Sequence, residues 1–460
     1  MMRQNKFNTE DTIAAIAAPI GGPICIIRMS GKDSTAILKK VFVRKINNDF
    51  KSHKIYYGWI ADGKENIDEV LVSVMLAPKS FTKEDVVEIN CHGGRMPARK
   101  ILMLLVKFGA RIAEPGEFTK RAFLNGRIDL AQAEAIMDIV NAKTELSHKT
   151  AVGQLQGRLG TMIEASCESL LSLLARIEMA IDYPEHDEAH IITADIKTAA
   201  EAIIKELDKL LDTSNQGRII REGIKTAIIG EPNVGKSSLL NALALEDRAI
   251  VTHIPGTTRD ILRENIKIGD IFLEIADTAG IRETDDIVEN QGVARSVKES
   301  LSAELVLLVV DGSMPFTASQ ADKFDYSKWK HILVIINKSD LPQKVDKDFI
   351  AKTFGADAII EISAKNHDGI DALHDKIKEI FLMKDIEYSP DLVTNTRHIS
   401  LIEAAKNSLQ DAVRAIDEAM YVDFIAIDIQ AAYASLCEIT GAVVDDMLID
   451  KIFSEFCLGK

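Results

Sequence analysis

The sequence predicts three domains: a mixed α/β domain at the N-terminus, an all-α domain in two sequence-distant halves, and a second α/β domain inserted between those halves. Three observations point there. Residues 1–125 mix turns and helical stretches with short strand-like runs, at Thr12 to Ala17, Ile24 to Met29, Glu69 to Leu76 and Val86 to Asn90. From about 128, beginning with Leu130-Ala131-Gln132-Ala133-Glu134-Ala135-Ile136, apolar residues recur at the 3.6-residue helical spacing. That periodicity gives way at about 222 to buried-strand runs and Gly-rich turns, then returns from His398 to Phe456.

The expected boundaries are 1–125, 126–221 for the first helical half, 222–382 for the insert, and 383–460 for the second half. A chain of 460 residues is too long for one core. The first helical half reads as one long series to about 181. Asp182-Tyr183-Pro184-Glu185-His186-Asp187-Glu188 then breaks it with a proline and a charge run, and a second stretch covers about 192–214. Insertion is tolerated where the ends of the insert lie close together. A switching domain placed there could move the bundle.

Composition narrows the class. Hydrophobic residues make up 47%, with no apolar run of 18, so no membrane span is expected. The N-terminus carries no recognisable targeting pattern. Five cysteines, odd in number and scattered, do not read as a disulfide framework, and no C-x-x-C pair suggests zinc. A cytoplasmic location follows as the expectation. The net charge of −15 argues against a protein that holds nucleic acid by broad phosphate neutralisation.

The insert carries the chemistry. Gly230-Glu231-Pro232-Asn233-Val234-Gly235-Lys236-Ser237 fits G-x-x-x-x-G-K-[ST] between a strand-like run, Thr226 to Ile229, and a helical pattern from Ser238. Backbone N–H groups of such a turn cradle phosphate oxygens. Lys236 would reach the β- and γ-phosphates and Ser237 would hold Mg²⁺. Four further motifs follow in the order a GTPase needs. Pro255-Gly256-Thr257-Thr258 places a threonine, Thr258, for Mg²⁺ and the γ-phosphate. Asp277-Thr278-Ala279-Gly280 ends the run Ile271 to Ala276. Asn337-Lys338-Ser339-Asp340 ends Ile332 to Ile336, and the Asp340 carboxylate would accept from guanine N1–H and the 2-amino group, which adenine cannot match. Ser363-Ala364-Lys365 follows Ala358 to Ile362 and would close over the base. A generic α/β domain would not place five ordered matches at strand ends. The insert is therefore expected to be a Ras-like P-loop GTPase domain. Its GTP-contacting set is Asn233 to Ser238 (with Val234, Gly235, Lys236 and Ser237 between), Thr252, His253, Ile254, Pro255, Gly256, Thr257, Thr258, Asp277, Thr278, Ala279, Gly280, Asn337, Lys338, Asp340, Ser363, Ala364 and Lys365.

Ile281 stands where Ras-like proteins carry the water-orienting glutamine, and isoleucine cannot hydrogen-bond anything. Another group must position water, and Glu283, Asp285, Asp286 and Glu289 are the acidic candidates downstream. Taken singly, each reads more readily as an exposed loop carboxylate. Asn233 has two readings. Its side-chain oxygen can help ligate a monovalent cation beside the phosphates, with backbone oxygens at Thr252 and Ile254 and with Thr257, or it can bond its own turn.

The full chain resembles the MnmE (TrmE) family of tRNA-modification GTPases. The matching pieces are Asp11 to Ala17, Ile26-Ile27-Arg28-Met29-Ser30-Gly31, Ser80 to Ile89, Cys91-His92-Gly93-Gly94, the long block Pro115 to Leu130, and Ile452 to Lys460. The resemblance implies an N-terminal domain of the folate-dependent aminomethyl-transfer type that dimerises and binds a 5-formyltetrahydrofolate-type donor, with Arg28, Glu88, Arg127 and Lys460 as its folate residues. It implies K⁺ in place of an arginine finger, held around Asn233, and Glu289 as the water-orienting residue. It implies a homodimer that works with a flavoprotein partner, MnmG, in a heterotetramer, and that meets tRNA transiently. Together they would place an aminomethyl or carboxymethylaminomethyl group on C5 of the wobble uridine at position 34, with FAD and NADH belonging to the partner.

The sequence departs from the family pattern in three places. Pro19-Ile20-Gly21-Gly22-Pro23-Ile24 is shortened, Arg127 stands for a lysine, and Lys83 replaces a common glycine. Cys457, four residues from the end, imitates a prenylation box, but Gly459 is not aliphatic and no polybasic run precedes it. By itself Cys457 reads as a packed small hydrophobe. The resemblance makes it a catalytic candidate, with Phe453 and Phe456 anchoring a tail that bends at Gly459. Glu185 to His190 reads as a solvated loop, because no metal-ligand spacing recurs. His92 reads either as a substrate contact or as a strand-end structural histidine. Two functions remain open: a tRNA-modifying GTPase that contributes to the chemistry, and a ribosome-assembly or switch GTPase that only hydrolyses GTP. The second class usually carries an RNA-binding appendage, and none is evident in the sequence.

Overall fold

A computed structural model describes residues 11–18, 20–44, 49–182, 189–246, 264–275, 301–322, 326–381, 383 and 392–460; the side chains of 180, 182, 189–193, 245 and 246 are outside that description. The chain divides into two compact units, one made of Met1–Met137, Gln154–Thr193 and Ala419–Lys460, the other of Asp138–Gly153 and Ala194–Glu418.

The first unit opens with a seven-stranded sheet. Its strands are β1 (Ile13–Ile16), β2 (Ile24–Ser30), β3 (Phe42–Val43), β4 (Lys54–Asp62), β5 (Glu65–Met75), β6 (Val86–His92) and β7 (Arg111–Ile112), in the order β3-β4-β5-β6-β2-β1-β7. Every pair is antiparallel except β1 with β7. Side chains alternate across the pleat. Ile27, Met29, Val72, Val74, Val87 and Ile89 are buried on one face, packed with α1 (Ser34–Val41) and α2 (Arg95–Lys107) into one cluster. The register sets Arg28 opposite Glu88.

α3 (Glu117–Leu124) follows, then the helical series. Sequence periodicity reads 130–181 as one run, but three helices form: α4 (Leu130–Asn141), α5 (Glu145–Leu155) and α6 (Arg158–Asp182). Reciprocal side-chain caps explain the restarts. Asp129 Oδ1 accepts from Gln132 N at 2.6 Å, and Gln132 Oε1 accepts from Asp129 N at 2.9 Å. Thr144 and Ser147 repeat this exchange at 3.1 Å each way before α5. Gly157, at φ +82°, turns the chain into α6. Apolar spacing continues through these breaks because all three helices bury a stripe.

In the second unit, α7 (Ala189–Asp212) and α8 (Ser214–Glu222) lead into β8 (Ile224–Ile229), and α9 (Lys236–Glu246) follows. Then come β9 (Glu264–Ile268), β10 (Ile271–Ile275), β11 (Leu305–Asp311), α10 (Ala318–Ala321), β12 (His331–Asn337), α11 (Lys347–Phe354), β13 (Ile359–Glu361) and α12 (Ile370–Ile380). The six strands order as β13-β12-β11-β8-β10-β9, parallel except for β9. β8, β11 and β12 are apolar on both faces, as strands covered on two sides must be. The C-terminal ends of β8, β11, β12 and β13 share one edge, the edge where open α/β sheets bind ligands.

Three more helices complete the chain: α13 (Thr396–Asp417) in the second unit, and α14 (Val422–Thr440) and α15 (Asp446–Ser454) in the first. α14 packs along α6. Four of the five cysteines, scattered in sequence, meet in space as free thiols: Cys25 faces Cys91 across β2 and β6, and Cys167 Sγ lies 3.1 Å from Cys437 Sγ. Among the described residues no helix is long and apolar enough to cross a membrane, and no group of three His, Cys, Asp or Glu residues is placed to hold a metal ion.

Candidate functional sites

The first site lies at the strand ends of the second unit. The loop from Gly230 to Gly235 leaves β8 and enters α9, with Asn233 at φ +60°. Lys236 Nζ folds over this loop, donating to Gly230 O at 3.0 Å and Glu231 O at 2.8 Å. Burial pulls its pKa below the usual lysine range, with Glu231 partly countering. The ammonium therefore sits where it gains most from an anionic ligand. Gly235, at φ +100°, faces Asn337, and a Cβ there would collide with the asparagine amide. The concavity fits a phosphate chain.

Asn337 ends β12, is buried, and joins two loops: its Nδ2 donates to Val234 O at 2.9 Å and its Oδ1 accepts from Ala364 N at 3.0 Å. Asp340 is exposed, and its Oδ1 accepts from Ser363 Oγ at 2.7 Å. Ser363 is fixed in turn by its N–H on Asp368 O at 3.0 Å. Lys365 is exposed beside them. The structure thus brings Asn233 to Lys236, Asn337, Lys338, Asp340, Ser363 and Ala364 to one edge, with Ser237 at the start of α9 and Ser238 exposed next to it. Thr252, His253, Ile254, Pro255, Gly256, Thr257, Thr258, Asp277, Thr278, Ala279, Gly280 and Glu289 lie outside the described residues.

Sequence reasoning missed Asp311. It ends β11, and its Oδ2 lies 2.5 Å from Lys338 Nζ, which also donates to Asn233 O at 3.0 Å. Burial opposes ionisation of Asp311, but the bonds from Lys338 and Ser313 outweigh it and hold the carboxyl below its usual range. The available signal was an aspartate closing the all-apolar run Leu305 to Val310.

The second site belongs to the first unit. Arg28 Nε donates to Glu88 Oε1 at 2.8 Å, and Arg28 Nη1 donates to Gly459 O at 3.2 Å. The tail from α15 is seated by further main-chain bonds, Gly116 N to Cys457 O at 3.4 Å and Phe118 N to Lys460 O at 3.2 Å. Phe453 and Phe456 are buried in the cluster beneath it. Cys457 is exposed, while the other four cysteines are buried. Arg127 is exposed, its guanidinium 4.7 Å from the Phe81 ring centre. Arg28, Glu88, Gly459 and the Lys460 backbone therefore meet, and Phe81 links Arg127 to them.

The departures have local explanations. Lys83 takes φ +59°, a conformation suited to glycine, while its Nζ bonds Gly126 O at 2.9 Å. The shortened loop is pinned through Gly21 N to Gly93 O (2.9 Å) and Gly93 N to Pro23 O (3.2 Å); Pro19 lies outside the described residues. His92 is exposed and holds Asp68 through Nδ1 at 2.7 Å.

Comparison with known proteins gives both regions a lineage. Residues 12–127 match the family described as GTP-binding protein TrmE N-terminus, and residues 130–457 match the MnmE helical domain. The chain belongs to the MnmE family of tRNA modification GTPases. It is 48% identical over 459 residues to tRNA modification GTPase MnmE of Geobacillus thermodenitrificans, covering 98% of this chain and 99% of that one. It is 49% identical over 453 residues to the MnmE of Lactococcus lactis, covering 98% of each. Era of Aquifex aeolicus overlaps 40% of this chain and 66% of its own at 25% identity and a TM-score of 0.26, too slight a likeness to add to the MnmE assignment.

Proposed function

We propose that this MnmE-family chain hydrolyses GTP in a K⁺-dependent manner. With the flavoprotein MnmG it would place an aminomethyl-type group on C5 of the wobble uridine of certain tRNAs, using a folate one-carbon donor. Lys236 and the loop N–H groups would bind the β- and γ-phosphates, Ser237 and Thr258 would hold Mg²⁺, and Asp340 would choose guanine. Asn233 would hold K⁺ with Thr252, Ile254 and Thr257, and the bound cation supplies positive charge next to the transferring phosphoryl group. Glu289 would orient water, the task Ile281 cannot do. Arg28, Glu88 and Lys460 would bind the folate, and Arg127 would meet its carboxylate as a bidentate fork. Dimerisation of the N-terminal domain and a cytoplasmic location belong to the same reading.

The observation that carries it is the contact of Arg28 with Gly459 O. It seats the tail that bears Cys457 against the proposed folate residues, within the first unit, whereas every nucleotide motif belongs to the second. That arrangement supports a role in modification over one limited to GTP hydrolysis. The test is Cys457→Ser in a reaction reconstituted with MnmG, folate donor, GTP and tRNA. Mass spectrometry of the wobble nucleoside should show the modification lost; full modification would leave Cys457 a structural residue. Serine keeps size and polarity, so a loss points to the thiol.

A further inference from the structure

Two arginines from different elements share one aromatic ring. Phe81 lies half-buried between β5 and β6, its ring packed against both the α3–α15 cluster and the β1–α3 cluster. The guanidinium carbon of Arg127 stands 4.7 Å from the ring centre and that of Arg28 stands 5.9 Å from it. Arg28 comes from β2 and Arg127 from the turn after α3, so no secondary-structure register links them. The loop that carries the ring is strapped down. Asn125 Nδ2 donates to Thr82 O at 2.6 Å, and Ser30 Oγ, fully buried, donates to Glu84 Oε2 at 2.6 Å.

We propose that Phe81 is a positioning residue for an anionic ligand with a flat heterocycle and carboxylates, the folate class; this rests on the folate reading above. A guanidinium lying against an aromatic ring keeps its plane and sheds water from one face. It then meets a carboxylate pre-oriented for two parallel hydrogen bonds. Phe81 sets this for Arg127; Arg28, 5.6 Å from the Phe118 ring centre and bonded to Glu88 and Gly459 O, is fixed by those groups as well. Sequence periodicity gives no hint of it, because Phe81 stands in a loop among turn residues.

The test is calorimetric titration of the full-length protein with 5-formyltetrahydrofolate, for the parent and for Phe81→Leu, Phe81→Met and Phe81→Tyr, with thermal unfolding run on each. The Leu and Met variants should bind about tenfold more weakly, the effect of losing cation–ring contact, while Tyr should stay within about twofold. The Leu effect should shrink in an Arg127→Met background, because the two residues act through each other. Parent-like binding by the Leu and Met variants would overturn the proposal. So would equal weakening by Tyr, or an undiminished Leu effect without Arg127. If Leu disturbs folding, the Met and Tyr pair decides. A parent that binds no folate would remove the folate reading itself, a result distinct from parent-like binding by the variants.

Discussion

Replacing Gly459 by alanine should unseat the tail without unfolding the protein. Gly459 has φ +89°, and a Cβ there would lie 2.6 Å from Ile16 O and 2.7 Å from Ala17 Cα, both backbone atoms that cannot swing aside. The left-handed conformation alone costs a non-glycine residue about 1–2 kcal/mol, and the clash adds to it. Against this stand the bond from Arg28, about 1.5–3 kcal/mol for a charged donor, and the bond from Phe118 N to Lys460 O, about 1 kcal/mol. The seat is thus worth about 3 kcal/mol, which leaves roughly 1% of parent molecules unseated. In the variant the strain is of similar size, so unseated molecules become a large fraction. Phe453 and Phe456 stay packed, so the melting temperature should change little. Cys457 can be labelled selectively because the other four thiols are buried. A fluorophore there should gain rotational freedom in Gly459→Ala, and wobble modification should fall while the GTP affinity of the second unit holds. Unchanged anisotropy together with full modification would refute the reasoning.

Other outcomes follow from the two sites. Asp340→Asn should shift binding from guanine toward xanthine nucleotides, whose 2-oxo group suits an amide donor; equal GTP and ATP affinity in the parent would contradict the base-reading role. Turnover should rise with K⁺ well beyond Na⁺ at matched ionic strength, and Asn233→Ala should lose most of that response; equal rates in the two salts would remove the cation role. Asp129 gives a pH signature. Burial, reinforced by Glu164 and Glu134, pushes its carboxyl up to about 6. A raised carboxyl pKa means the folded state holds the proton longer than the unfolded one, so stability should fall as pH rises from about 4 to 6. The size is on the order of 3 kcal/mol. Asp129→Asn, which can still accept from Gln132 N, should flatten the urea midpoint across that window; an unchanged slope would assign the dependence elsewhere.

The three loops that the structure describes at this edge, Gly230 to Ser237, Asn337 to Asp340 and Ser363 to Lys365, were legible because each motif is local. A run such as Thr226 to Ile229 followed by Gly230 to Ser237 writes strand, turn and helix in consecutive residues, and so does Ile332 to Asp340. The tail seat was only half legible. Phe453 and Phe456 read as anchors, but nothing near Gly116 announces that its N–H will receive Cys457 O from more than three hundred positions away. The breaks at Thr144 and Gly157 were hidden because apolar spacing runs through them, and only side-chain caps mark where each helix restarts. The thiol pairs Cys25–Cys91 and Cys167–Cys437 depend on strand register and helix packing, which residue spacing does not encode.

Lys338 spans two loops. It stands in the loop that ends β12 and ties Asp311, at the end of β11, to Asn233, in the loop between β8 and α9. A change that moves Lys338 therefore also frees the backbone carbonyl of Asn233. The two loops are thus mechanically joined through one ammonium, and a displacement of either is felt by the other.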